Sequence, residues 1–159
     1  MFTNRIVFAV SCCFFLLAGV TTAYGAPKDM AGWEEDGAYN KLYQAAELDK
    51  LKGHVQKIIE VVPMKGMAPG VGLIMKDGDG DKVVVHIGPK WFLGDSIGVK
   101  RGERIKVKGS WAEIDGKDVF IASKIKKGDF FELKVRLTKN GKPFWAMDPE
   151  ELAKERASN

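Results

Sequence analysis

The side chains able to do chemistry are few: His54 and His86, Met64 and Met67, the acidic run Asp77-Gly78-Asp79-Gly80-Asp81, and lysines scattered from residue 104 onward. Thioethers favour Cu(I) and imidazole suits copper generally, so Met64, Met67 and His86 would form a soft-metal site if folding brought them together. Copper is the metal those donors imply, and no cofactor is needed to explain folding. One Met-x-x-Met and one histidine make a thin motif, and the plainer reading is preferred. In it both methionines cap the end of a barrel as adaptable apolar filler, while His86 hydrogen-bonds the backbone beside Gly88-Pro89. His54 reads as an exposed strand residue. The acidic run imitates the first half of a calcium loop, but Lys82 stands at the sharp-turn glycine position and Gly88 at the bidentate glutamate position. It reads as a solvated hairpin loop.

Catalysis finds little support. Both cysteines, Cys12 and Cys13, lie in an apolar leader, and the rest of the chain has no nucleophile-elbow motif, no phosphate loop and no framed carboxylate pair. The chain reads as a binding module and not as an enzyme.

The elements that must position these residues are strands. From Lys52 onward, apolar and polar residues alternate in short runs separated by Gly- and Asp-containing turns. The runs are Gly53 to Val62 with a bulge near Lys57, Gly70 to Lys76, Lys82 to Ile87, Arg104 to Ser110, Asp118 to Ile125 and Phe131 to Leu137. Asp115-Gly116 and Asn140-Gly141 are two-residue hairpin turns, the latter leading back through Lys142 to Trp145. "KWFLGDSIGVKRGE" after Gly88-Pro89 reads as a single helical turn and a loop, and Asp148-Pro149-Glu150-Glu151 as a helix start. Three meander strands, an irregular crossover and a hairpin predict an all-β fold, a small OB-fold-like barrel over residues 51–146. An N-terminal arm (26–50), an extra C-terminal β-hairpin and a short helical tail (147–159) complete it.

In such a barrel the loop after the first strand and the end of the third share a pole. Met64 and Met67 should then approach His86, with the Asp115-Gly116 hairpin on the same side. The outward face of the second and third strands, carrying Gly72, Lys76 and His86 with Trp91 and Asp115 beside it, is the expected surface for a small ligand, an ion or a partner protein. Val85 and Ile87 should be buried. The alternative is a polyanion surface, for nucleic acid or acidic polysaccharide, on a basic side made by Arg104, Lys106, Lys108, Lys124, Lys126 and Lys127 together with Lys134 and Arg136. The bland reading of those lysines is a solvated edge protected from aggregation. Trp91, Phe92, Trp111 and Trp145 could stack bases, though large aromatics in a small barrel more often pack its core or rim.

Arg5 followed by the uncharged run Ile6 to Val20, with Ala23-Tyr24-Gly25 after it, reads as a signal peptide cleaved after Gly25. That predicts a periplasmic, soluble protein with no transmembrane segment after cleavage. Only Arg5 leaves the charge count, so a net +4 becomes +3. So small an excess gives weak attraction to anions and does not mark a nucleic-acid protein.

The motifs "GHVQKI", "PMKGMAPGVGLIMK", "VVVHIGPKWF", "IKVKGSWAEIDGK", "IASKIKKGD" and "GKPFW" together resemble a family of small exported bacterial OB-fold proteins, sometimes labelled DNA-binding. The resemblance spans Trp33 to Trp145 and implies the fold and the export, not a ligand. The leading expectation is a periplasmic binding module for a small ligand, metal ion or partner protein. Polyanion binding stands second, and an accessory subunit of a periplasmic enzyme third.

Overall fold

The computed structural model describes residues 29–158, so the leader assigned to residues 1–25 lies outside the described residues. Six strands form the framework: β1 (Asp49–Val61), β2 (Gly70–Asp77), β3 (Lys82–Pro89), β4 (Arg104–Ile114), β5 (Lys117–Lys127) and β6 (Phe131–Lys134). A helical turn, α1 (Lys90–Leu93), follows β3, and a terminal helix, α2 (Pro149–Ala157), ends the chain. β1, β2 and β3 are an antiparallel meander, β4 pairs with the other side of β1, and β5 pairs with β4. A short parallel pairing of β3 with β5, at Val85↔Phe120 and His86↔Ile121, closes the ring β1-β2-β3-β5-β4. β6 continues the sheet from the second half of β5. The small all-β barrel expected from the strand pattern is therefore present.

Alternation explains why these segments are strands. Leu51, Val55, Leu73, Met75, Val83, Val85, Ile105, Val107, Phe120 and Ile125 point inward and are buried, as is Ile87, while every second residue is left for the outer surface. β1 slips register between Val55 and Lys57, the bulge that bends a long strand around a small barrel. Asp115 (φ 51°) and Gly116 (φ 72°) are both left-handed, the turn whose twist matches the strands it joins. Asp148 caps α2 by accepting from Glu151 N–H at 2.8 Å, with Pro149 at the first helical position.

Four expectations are corrected. The arm is a structural layer and not an appendage: Trp33, Tyr39 and Tyr43 are buried, β1 begins inside the arm at Asp49, and the only helical turn among its described residues is Asn40–Leu42. Arg136 is not outward but 1% exposed. The return from Asn140-Gly141 is not a strand. One bridge, Arg136↔Pro143, is followed by a 3-10 turn over Phe144–Ala146, since Pro143 offers no amide for a ladder and Phe144 and Trp145 turn into the core. Its loop is wider than two residues, with Gly141 N–H donating to Leu137 O at 2.8 Å and only Gly141 left-handed. Finally, β3 runs on through Pro89, which pairs with Gly70.

Gly141 sits at φ 78°, and a Cβ there would lie 2.5 Å from the Tyr43 ring. Gly141→Val should therefore destabilise the protein by about 1–3 kcal/mol. Urea unfolding measures this, and an unchanged midpoint would show that the loop does not constrain the arm.

Candidate functional site

The outer face of β2 and β3 is where the expected ligand surface should lie, and its β3 side is closed. Tyr39 from the arm reaches over it and sets its hydroxyl 3.3 Å from His86 Nδ1, the two rings tilted with centroids 6.0 Å apart. Trp33 meets Tyr39 edge to face at 4.9 Å and Trp145 at 5.6 Å, and Trp145 Nε1 donates to Trp33 O at 2.8 Å. His86 is consequently 5% exposed, not outward on an open face. Burial holds its pKa down at about 4, so the imidazole is neutral at ordinary pH. Gly72, its register partner, is also buried, and a Cβ there would meet Val61 and the Val85 carbonyl at 2.9 Å. The arm's own sequence carried the signal: Trp33, Tyr39 and Tyr43 are too much apolar surface to leave in water.

The methionine loop packs on the arm, and His86 meets the Tyr39 hydroxyl where a backbone bond beside Gly88-Pro89 is the plainer expectation. Met64 and Met67 are half-buried against the core, and Met67 fills the space above Gly32. Ala68 of the same loop accepts from Trp33 Nε1 at 2.9 Å and donates to Ala31 O at 2.8 Å. The contacts from this loop to His86 thus run through Trp33 and Tyr39. Asp115 does not share that pole. β4 is antiparallel to β1 and ends beyond its start, and β5 begins parallel to the start of β3, which puts Asp115 at the opposite end. Trp91 is exposed on α1 with its ring edge to face with Phe92 at 6.3 Å. Asp77 is committed to its own turn, accepting from Asp79 N–H at 3.0 Å and Asp81 N–H at 2.8 Å.

What the barrel does present is a basic outer face. Register places Lys50 beside Lys108, Lys108 beside Lys124, and Lys124 beside Lys134, one row of ammonium groups crossing β1, β4, β5 and β6. One step along the strands, Lys52, Lys106 and Lys126 form a second row that ends at Glu132. A third row runs Arg104, His54, Lys76, Lys82 across β4, β1, β2 and β3. Lys76, expected on the other surface, belongs to this one, and Lys50 and Lys52, read as arm and strand entry, are its β1 members. Lys127 leaves it: its ammonium donates to Gly98 O at 2.8 Å and to Glu103 at 3.2 Å.

Like charges directly opposite one another across strands destabilise a sheet by about 0.2–1 kcal/mol a pair. Compensation is confined to one corner, where Glu132 meets Lys126 at 2.7 Å, Lys124 at 3.4 Å and Lys134 at 3.7 Å. Partial burial pushes the Glu132 carboxyl up, but the hydrogen bonds and charges of Lys126 and Lys124 outweigh it and hold it below the usual range. Among the described residues, Lys50, Lys52, Arg104, Lys106 and Lys108 make no ion pair. Nor are they a protected edge, because β1 and β4 have neighbours on both sides.

A family model described as the MamS/MamX magnetosome protein family matches residues 47–131. The chain belongs to that family. Of the resemblance read from the motifs, the match supports a bacterial family, and it carries neither the OB-fold identity nor a DNA-binding label. No curated protein matches the chain. The MamS/MamX match covers β1 to the start of β6, and with it all three basic rows except Lys134, while most of the arm and the C-terminal cover fall outside it. No helix among the described residues is long and apolar enough to cross a membrane.

His86 gives a pH test of the closed face. Its pKa falls from 6.5 to about 4 on folding, so its contribution is complete above about 6.5 and is lost as the pH drops towards 4, by about 3 kcal/mol in all. Urea midpoints between neutral pH and pH 4 should fall more steeply for the native protein than for His86→Gln. Equal slopes would mean that the imidazole is not held neutral under Tyr39.

Proposed function

We propose that this chain is a magnetosome-associated, exported, non-catalytic binding module whose working surface is the basic outer face of β1, β4, β5 and β6. The observation that carries the proposal is the stacking of uncompensated lysines in cross-strand register. The fold gains nothing from that arrangement, whereas a partner with repeated negative charge would relieve it and release its own counterions. The ring order supports an OB-type barrel, but the usual ligand surface of that architecture is occupied by the arm in this chain. That moves the preference from the β2 and β3 face to the lysine face. Export rests on the apolar run Ile6 to Val20. A non-catalytic role fits a neutral, packed His86 and a His54 flanked by Lys76 and Arg104.

Lysine ammonium groups act as hydrated point charges without the planar fork of arginine, so affinity for a soluble polyanion should be modest and should fall steeply with salt. Fluorescence anisotropy with a labelled heparin oligosaccharide measures both. Lys52→Glu/Lys106→Glu should weaken binding about tenfold or more, and Lys41→Glu/Lys65→Glu, with the same change in net charge off the face, should have a much smaller effect. Equal losses in the two variants would mean that net charge alone drives the interaction.

A further inference from the structure

Phe130 is 102% exposed, as open to water as a phenylalanine can be. It ends the turn from Gly128 that joins β5 to β6, and its neighbour Phe131 behaves in the opposite way, its ring lying against Gly98 and under the Lys127 ammonium at 5.1 Å. The same turn borders the basic face, since Gly128 and Asp129 line one shallow depression with Lys52, Arg104, Lys106 and Lys126. Phe130 also has the parity of Glu132 and Lys134, the β6 residues of that face. A lone aromatic held at full exposure on the rim of a basic surface has no role in the fold, because it buries nothing.

From this juxtaposition we infer that the partner of the lysine face is an anionic lipid surface, met by the lysine rows and entered by Phe130. This rests on the reading that the face binds anions. Cations in rows over three or four strands meet many headgroups at once, and each lysine near an anionic membrane adds to the attraction, while one aromatic at the rim buries in the headgroup and acyl boundary. Point-charge lysines suit laterally mobile headgroups better than the fixed geometry of one phosphate. A soluble polyanion would contact the lysines and leave Phe130 in water. Single-stranded nucleic acid would need stacking platforms, and the rows contain no Phe, Tyr or Trp. Asp129, beside Phe130 on the turn, limits entry to the interface.

The test is cosedimentation with vesicles of phosphatidylcholine alone and of phosphatidylcholine mixed with phosphatidylglycerol, run beside the heparin titration. The native protein should bind only the phosphatidylglycerol vesicles. Phe130→Ala, a surface change whose folding is checked by urea unfolding, should lower vesicle partitioning about tenfold and leave heparin affinity unchanged. Lys52→Glu/Lys106→Glu should lose both. Heparin binding without vesicle binding, or Phe130→Ala partitioning like the native protein, overturns the lipid assignment and leaves the lysine face standing. If Lys52→Glu/Lys106→Glu keeps full heparin affinity, or the native protein binds neither probe, both ideas fall.

Discussion

A guanidinium that, among the described residues, has no carboxylate paired with it holds the closed side of this molecule together. Arg136 is almost wholly buried, and its Nη2 donates to Asn40 Oδ1 at 2.6 Å and its Nη1 to Gly141 O at 3.4 Å. Its charge lies 4.7 Å from the Trp145 ring and 5.3 Å from the Tyr43 ring. A buried cation is costly unless its donors are met, and here two of them are met from both ends of the described chain, while Nε has no hydrogen-bond partner among the described residues. The arm and the C-terminal segment must therefore come together over the barrel or not at all. Burial lowers the Arg136 pKa and pushes Tyr39 up to about 12, so one group stays charged and the other neutral throughout the physiological range.

That clamp determines where binding can occur. With Tyr39 over His86 and Trp33 and Trp145 around it, the side of the barrel that includes the end of β3 is packed into one buried cluster with the barrel interior. The opposite side, built on β1 and β4, is left open and carries the cations. β1 is the hinge of the arrangement because it pairs with both β2 and β4, joining Lys76 on one flank to Lys106 and Lys108 on the other. A modest net charge is thus concentrated on one surface, and local density, not total charge, governs attraction to an extended anion.

The features legible in the sequence are those set by neighbours along the chain. Alternation in Val71 to Met75 and Val83 to Ile87, the Asp115-Gly116 turn, the bulge in β1 and the Asp148 cap all follow from local geometry. What could not be read depends on contacts across the chain. Arg136 sits in a clean alternating run that points it outward; its burial rests on partners remote in the chain, above all Asn40, 96 residues earlier. The alternation of β3 sets His86 opposite to Val85 and Ile87, but nothing near it announces that Tyr39 covers it. The lysines of β4 and β5 were visible, yet their rows needed the register with Lys50 and Lys52. Phe130 was hidden in a Phe-Phe pair whose members only the fold separates.

Chemical-shift mapping of the backbone amides and lysine side chains during titration with a heparin oligosaccharide compares the two faces in a single sample. Perturbations gathered on Lys50, Lys52, Lys106, Lys108, Lys124 and Lys126, with Gly72 and His86 unmoved, are expected. Perturbations centred on Gly72, His86 and Trp91 would contradict the closed face and return binding to β2 and β3.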